Sequence, residues 1–124
     1  MGYESKIYIV KKSSFSWEDD GKKYAEQIAM IDMCKCYELS DILRNKPKTD
    51  CYIYADDGNT QIVEDCYGKP LTETPLHEAV QIVKNVIAKT PWEYWRYNVL
   101  LATLQSVHDF VGKDQDFVVL HYGY

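Results

Sequence analysis

The sequence predicts an α+β fold: a mainly antiparallel sheet of four to five strands with two helices packed on one face. Runs of β-branched and aromatic residues fall at the start, the middle and the end of the chain, and the helical periodicities sit together in one stretch before the last of those runs. Strands and helices segregated in this way argue for α+β rather than an alternating α/β order. Size and composition agree. With 124 residues, 46% hydrophobic and 27% charged, the chain suits one domain, residues 1–124, with a real core and no disordered composition.

Lys6-Ile7-Tyr8-Ile9-Val10 is apolar on both faces, which predicts a central strand. Residues 13–17 read as loop, and Asp20-Gly21 as a turn between antiparallel partners. Residues 24–37 are read as a strand with Ile28, Met30, Cys34 and Cys36 on one face, although Ala25, Ile28 and Ala29 also fit a helix. Ser40-Asp41-Ile42-Leu43-Arg44 reads as a short helical turn that Lys46-Pro47 ends. Cys51-Tyr52-Ile53-Tyr54-Ala55 and residues 61–66 form the arms of a hairpin whose tip, Asp57-Gly58-Asn59, tolerates positive φ. Thr74 and Pro75 read as N-cap and first residue of a helix with Leu76, Val80, Val83 and Ile87 on one face. Thr90 and Glu93 stand at capping-box spacing before a second helix, which carries Leu100, Leu104, Val107 and Val111 and stops at Gly112. Phe117-Val118-Val119-Leu120-His121-Tyr122 predicts a closing strand.

A net charge of −5 argues against general affinity for nucleic acid or anionic membrane. Arginine is confined to Arg44 and Arg96, so a phosphate site has to rely on lysines and backbone amides. No apolar stretch approaches a membrane span, and the first residues lack a signal-peptide core, so a cytoplasmic location is expected.

Cys34, Cys36, Cys51 and Cys66 invite a zinc site, but the first pair is Cys-x-Cys, and on a strand those side chains stand roughly 7 Å apart. Buried free thiols are the expected state, with no metal and no cofactor. His77, His108 and His121 form no local signature with a cysteine. Asp56-Asp57-Gly58-Asn59 fails as a calcium loop, because Ile53 falls at the first ligand position when Gly58 takes the sixth. Glycine loops, nucleophile elbows and HExxH helices are absent from the sequence, which argues against an enzyme.

What remains is aromatic. The chain has 11 tyrosines. Alternation along the strand at residues 51–55 places Tyr52 and Tyr54 on one face, beside the acidic turn, and Tyr joins an apolar ring to a polar tip suited to recognition. Trp92, Tyr94, Trp95 and Tyr97 surround Arg96, and a helix spreads such close neighbours around its axis and cannot bury them all, so part of this cluster is expected at the surface. The candidate binding residues are Tyr8, Tyr52, Tyr54, Asp56, Asp57, Asn59, Tyr94, Trp95, Arg96, His121 and Tyr122, with none assigned as catalytic.

At Lys6-Ile7-Tyr8-Ile9-Val10, at residues 50–60 and at Val118-Val119-Leu120-His121-Tyr122-Gly123 the chain resembles small phage and prophage accessory proteins of Gram-positive gut bacteria, a group with no assigned active site. The resemblance implies an anti-defence inhibitor in a bacterial host cell that binds an immune effector protein or sequesters a small nucleotide messenger. Two alternatives belong to other classes. One is a small hydrolase or nucleic-acid-processing enzyme using His121 with Asp56 or Asp57. The other is a homodimer paired through an exposed C-terminal strand.

Overall fold

The structure, a computed structural model, describes residues 5–16, 23–34, 36–55, 57–112 and 114–123. Among them run, in order, β1 (Ser5–Ser16), β2 (Lys23–Asp32), α1 (Tyr37–Leu43), β3 (Cys51–Tyr54), β4 (Gln61–Ile62), β5 (Thr72–Pro75), α2 (Leu76–Lys89), α3 (Trp95–Val111) and β6 (Phe117–Gly123). The α+β class holds, with a six-stranded sheet and three helices where four to five strands and two helices are predicted. The sheet order is β4-β3-β2-β1-β6-β5, and it is mixed: β2 and β3 run parallel, the other neighbouring pairs antiparallel. A parallel pair needs a crossover, and this one carries α1. No helix among the described residues is long and apolar enough to cross a membrane.

Several sequence expectations shift. Residues 13–16 continue β1 rather than forming a loop. The strand expected over 24–37 ends at Asp32, and Cys36 becomes the N-cap of α1. Cys34 sits between them with a φ of 51°, its N–H donating to Asp32 Oδ1 (3.0 Å). Val10 pairs with Gln27 and Ile9 with Ala29, so Ile28 is an extra, bulged residue that breaks the expected period-two face. Thr74 and Pro75 belong to β5, pairing with Val119 and Val118, so the ladder takes the residues that read as a helix start. Thr90 closes α2 instead of opening α3: its hydroxyl donates to Val86 O (2.7 Å), and α3 begins at Trp95. The hairpin's second arm is short, with β4 covering only Gln61–Ile62. β6 is flanked by β1 and β5, so the edge on which a dimer was expected to pair is internal. The Asp20-Gly21 turn lies outside the described residues.

Two hydrophobic clusters lie on opposite sides of the sheet. On one, Ile7, Ile9 and Val119 meet Leu39 and Leu43 of α1, Leu76, Val80 and Val83 of α2, and Tyr97, Leu100 and Leu104 of α3. On the other, Tyr8, Val10, Val118 and Leu120 meet Ala25, Cys51, Ile53 and Leu71. Among the described residues no helix contributes to this second cluster; the sheet bends over it. Residues 47–49 pair with β5 on the flank away from β6: Glu73 N–H donates to Pro47 O (2.9 Å), Thr49 N–H to Leu71 O (3.0 Å), and Lys48 bridges Thr72. Leu71 N–H in turn donates to Val63 O (3.3 Å). Strands at opposite ends of the sheet order are thereby linked, and the concave side closes into a small barrel-like interior.

Candidate functional site

The eleven sequence-derived candidates scatter. Tyr8 and Tyr52 are 6% and 2% exposed, so both are interior and neither presents a ring to a ligand. Tyr8 meets Tyr122 edge-on at 6.4 Å, and Lys6 lies over the Tyr122 ring at 5.4 Å. Tyr52 and Tyr54 pack with Tyr24 in a three-ring cluster with centroids 5.4–5.8 Å apart, which leaves only Tyr54 of the pair exposed. Asp57 builds its own turn. Its Oδ1 accepts from Asn59 N–H (2.8 Å) and Thr60 N–H (2.9 Å), and its Oδ2 from the Thr60 hydroxyl (2.6 Å). Those hydrogen bonds, the Thr60 hydroxyl first, hold the exposed Asp57 carboxyl down at about 2. Asp56 lies outside the described residues.

His121 is buried among polar groups. Its Nε2 lies 3.3 Å from both Ser5 Oγ and Ser40 Oγ, which are 3.1 Å from each other, and Cys36 Sγ stands 3.3 and 3.2 Å from the same two hydroxyls. Burial pushes the imidazole down to about 4, so it is neutral at pH 7. A neutral histidine beside two hydroxyls has the parts of a nucleophile and base. Ser5 and Ser40 are 0% and 1% exposed, however, so a substrate cannot reach them. Among the described residues the carboxylate whose charge acts on His121 is Asp65, not the Asp57 of the hydrolase expectation.

Asp50, Cys51 and Glu73 converge within 4.8 Å as a possible cation cage. The Lys12 ammonium is already there, 3.2 Å from Asp50 Oδ1 and 3.2 Å from Glu73 Oε1. Burial pulls the Lys12 pKa down, but Glu73, through hydrogen bond and charge, together with Cys51 and Asp50 offsets this and raises it. Burial pushes the Cys51 thiol up to about 11, which leaves it protonated and a poor metal ligand.

The aromatic group at the start of α3 is the one candidate cluster that the fold presents together. Trp92 and Trp95 are 58% and 60% exposed. Behind them the rings interlock: Trp92 meets Tyr94 at 5.3 Å, and Tyr94 meets the buried Tyr97 edge-on at 4.9 Å. Tyr94 is fixed by its hydroxyl, which donates to Met33 O (2.8 Å). The Arg96 guanidinium lies 4.6 Å over the Trp95 ring and donates to Asp32 O. Trp92, Tyr94, Tyr97, Glu93 and Asn98 border a hollow of about 290 Å³ whose lining has no basic side chain.

A second feature has no counterpart among the sequence candidates except His121. Arg44, Lys46, Lys48 and Lys69 line a cavity of about 460 Å³ together with Asp65 and His121. The signal in the sequence was the alternation of Arg44, Lys46 and Lys48, which places three cations at period two beside Pro47. Comparison of the chain with protein-family models, curated proteins and solved structures yields no match.

Proposed function

We propose that the chain is a non-enzymatic, phage-type binding protein that counters a bacterial defence system by occluding a protein effector, with residues 92–96 as the contact surface. One observation carries this reading: two indoles three residues apart in the chain, each more than half exposed, with a guanidinium stacked on one of them. A Trp offers roughly 150–250 Å² of surface, worth about 25 cal/mol per Å² when buried, so covering the exposed parts of both supplies several kcal/mol. Trp, Tyr and Arg dominate the binding energy of protein interfaces. The contacts of Tyr94 with Met33 and of Arg96 with Asp32 hold the group in place before binding, which lowers the ordering cost. A nucleotide fits this surface less well, because the adjoining hollow is lined by Glu93 and no cation.

The test is phage plating on strains that each carry one defence system, with and without the chain. Plating restored by wild type and lost with Trp95→Ala, in a variant whose circular dichroism is unchanged, is expected. Restoration unaffected by Trp92→Ala and Trp95→Ala together rejects the surface; no restoration in any strain rejects the anti-defence reading.

A further inference from the structure

We infer that the cavity between the end of α1, the loop at residues 64–70 and β6 is a binding site for a small phosphate-bearing anion. Four of the chain's 14 basic residues, Arg44, Lys46, Lys48 and Lys69, line it, in a protein whose net charge is −5. Against them stands one lining carboxylate, Asp65. Such a concentration of like charge repels itself when empty and attracts a multivalent anion.

Backbone structure assembles the cluster. The 47–49 segment is held against β5 by the hydrogen bonds from Glu73 and Thr49, which sets Lys46 and Lys48 on the wall. Thr72 fastens that wall to α1 by donating its hydroxyl to Leu43 O (2.6 Å). Across the cavity, Asp65 Oδ1 accepts from Tyr67 N–H (2.8 Å) and Lys69 N–H (2.9 Å), a tight turn that positions Lys69. The Asp65 carboxylate is thus engaged in shaping the loop as well as opposing the cations.

Two of the cations have partners outside the lining: Arg44 pairs with Asp41 (2.6 Å) and Lys46 with Glu78 (2.7 Å). Both pairs are partly exposed, and ion pairs of that kind contribute under about 1 kcal/mol, so a phosphate can exchange for them. Lys48 and Lys69 make no ion pair among the described residues and are exposed. The chemistry favours phosphate over a single carboxylate. Four cations, two without an ion pair among the described residues and two in exchangeable pairs, suit a multivalent anion, the guanidinium fork matches phosphate oxygens, and lysines add point charges. A volume of about 460 Å³ is that of a small-molecule site.

This site is separate from residues 92–96, and its test does not depend on that surface. Isothermal titration of the full chain with inorganic pyrophosphate is expected to show saturable one-to-one binding, weakened about tenfold or more in Lys48→Ala/Lys69→Ala and unchanged in Trp95→Ala. The circular dichroism and melting temperature of the double variant, both exposed positions, establish that it folds. A second arm uses ADP: tighter binding than pyrophosphate identifies a nucleotide as the natural source of the phosphates, and equal binding a bare phosphate group. Absence of saturable binding at millimolar pyrophosphate, or equal affinity in wild type and the double variant, overturns the inference.

Discussion

His121 shows what burial does to a residue that the sequence marks only as a histidine in a strand. Its imidazole binds a proton near pH 6.5 in the unfolded chain and only near pH 4 in the folded one, because burial opposes the charge. The unfolded chain therefore takes up the proton first as pH falls from 6.5 to 4, and stability decreases across that window by about 3 kcal/mol before levelling. Urea unfolding at pH 7, 5.5 and 4.5 measures the slope. Between 6.5 and 5, where most carboxylates stay ionised, His121→Gln is expected to flatten it; equal slopes in both proteins would show that the imidazole is not the titrating group. Tyr52 teaches the same lesson from the other side. Alternation along the strand is legible in the sequence, but whether a face meets water or the neighbouring rings of Tyr24 and Tyr54 is decided by residues distant in the chain.

At the scale of elements, the sequence is most legible where a local signal has no competitor. Gly112 stops α3 as expected, with a φ of 62° that side chains other than glycine rarely adopt. A Cβ there meets nothing within 4 Å, so Gly112→Ala tests conformation alone. A cost of about 1–2 kcal/mol is expected in urea unfolding, and a neutral result would mean that the helix ends without needing the left-handed residue. Where two signals compete, the hydrogen bonding of the assembled element decides. Thr90 has a cap sequence downstream, but its N–H and its hydroxyl both donate to Val86 O one turn upstream, and α3 begins only at Trp95. Thr74 and Pro75 look like a helix start, but Val119 and Val118 draw them into the sheet. β5 was illegible for this reason: Thr72–Pro75 is short, polar and ends in proline, and it is a strand only because β6 and residues 47–49 lie on either side.

The whole molecule is organised by β1 and β6, each of which is buried on both faces. Ile7, Ile9 and Val119 belong to the helix-covered cluster, and Tyr8, Val10, Val118 and Leu120 to the interior under the bent sheet. The Tyr52 face, opposite Cys51 and Ile53, is closed not by that bend but by the rings of Tyr24 and Tyr54. The bend has no local signature, which is why the cationic cavity stayed hidden: Arg44 and Lys69 become neighbours only when residues 47–49 dock on β5. The aromatic group at residues 92–96 needed no such closure; the sequence showed that part of it must reach the surface, but not which rings, because α3 begins only at Trp95. Sharing two strands between two cores has a thermodynamic consequence. Neither core survives loss of the other, since unfolding one removes a wall from the second. Leu71→Ala, at 0% exposure in the bent-sheet interior, and Leu100→Ala, at 0% beneath the helices, are each expected to cost about 2–5 kcal/mol. The two residues belong to different clusters, so their costs should add to within roughly 0.5 kcal/mol if they share no partners. Both variants should keep a single transition, with coincident loss of near-ultraviolet tyrosine and far-ultraviolet helix signals. Two separated transitions in Leu71→Ala, the helix signal outlasting the tyrosine signal, would show that the helical layer holds β1 and β6 together without the closed sheet.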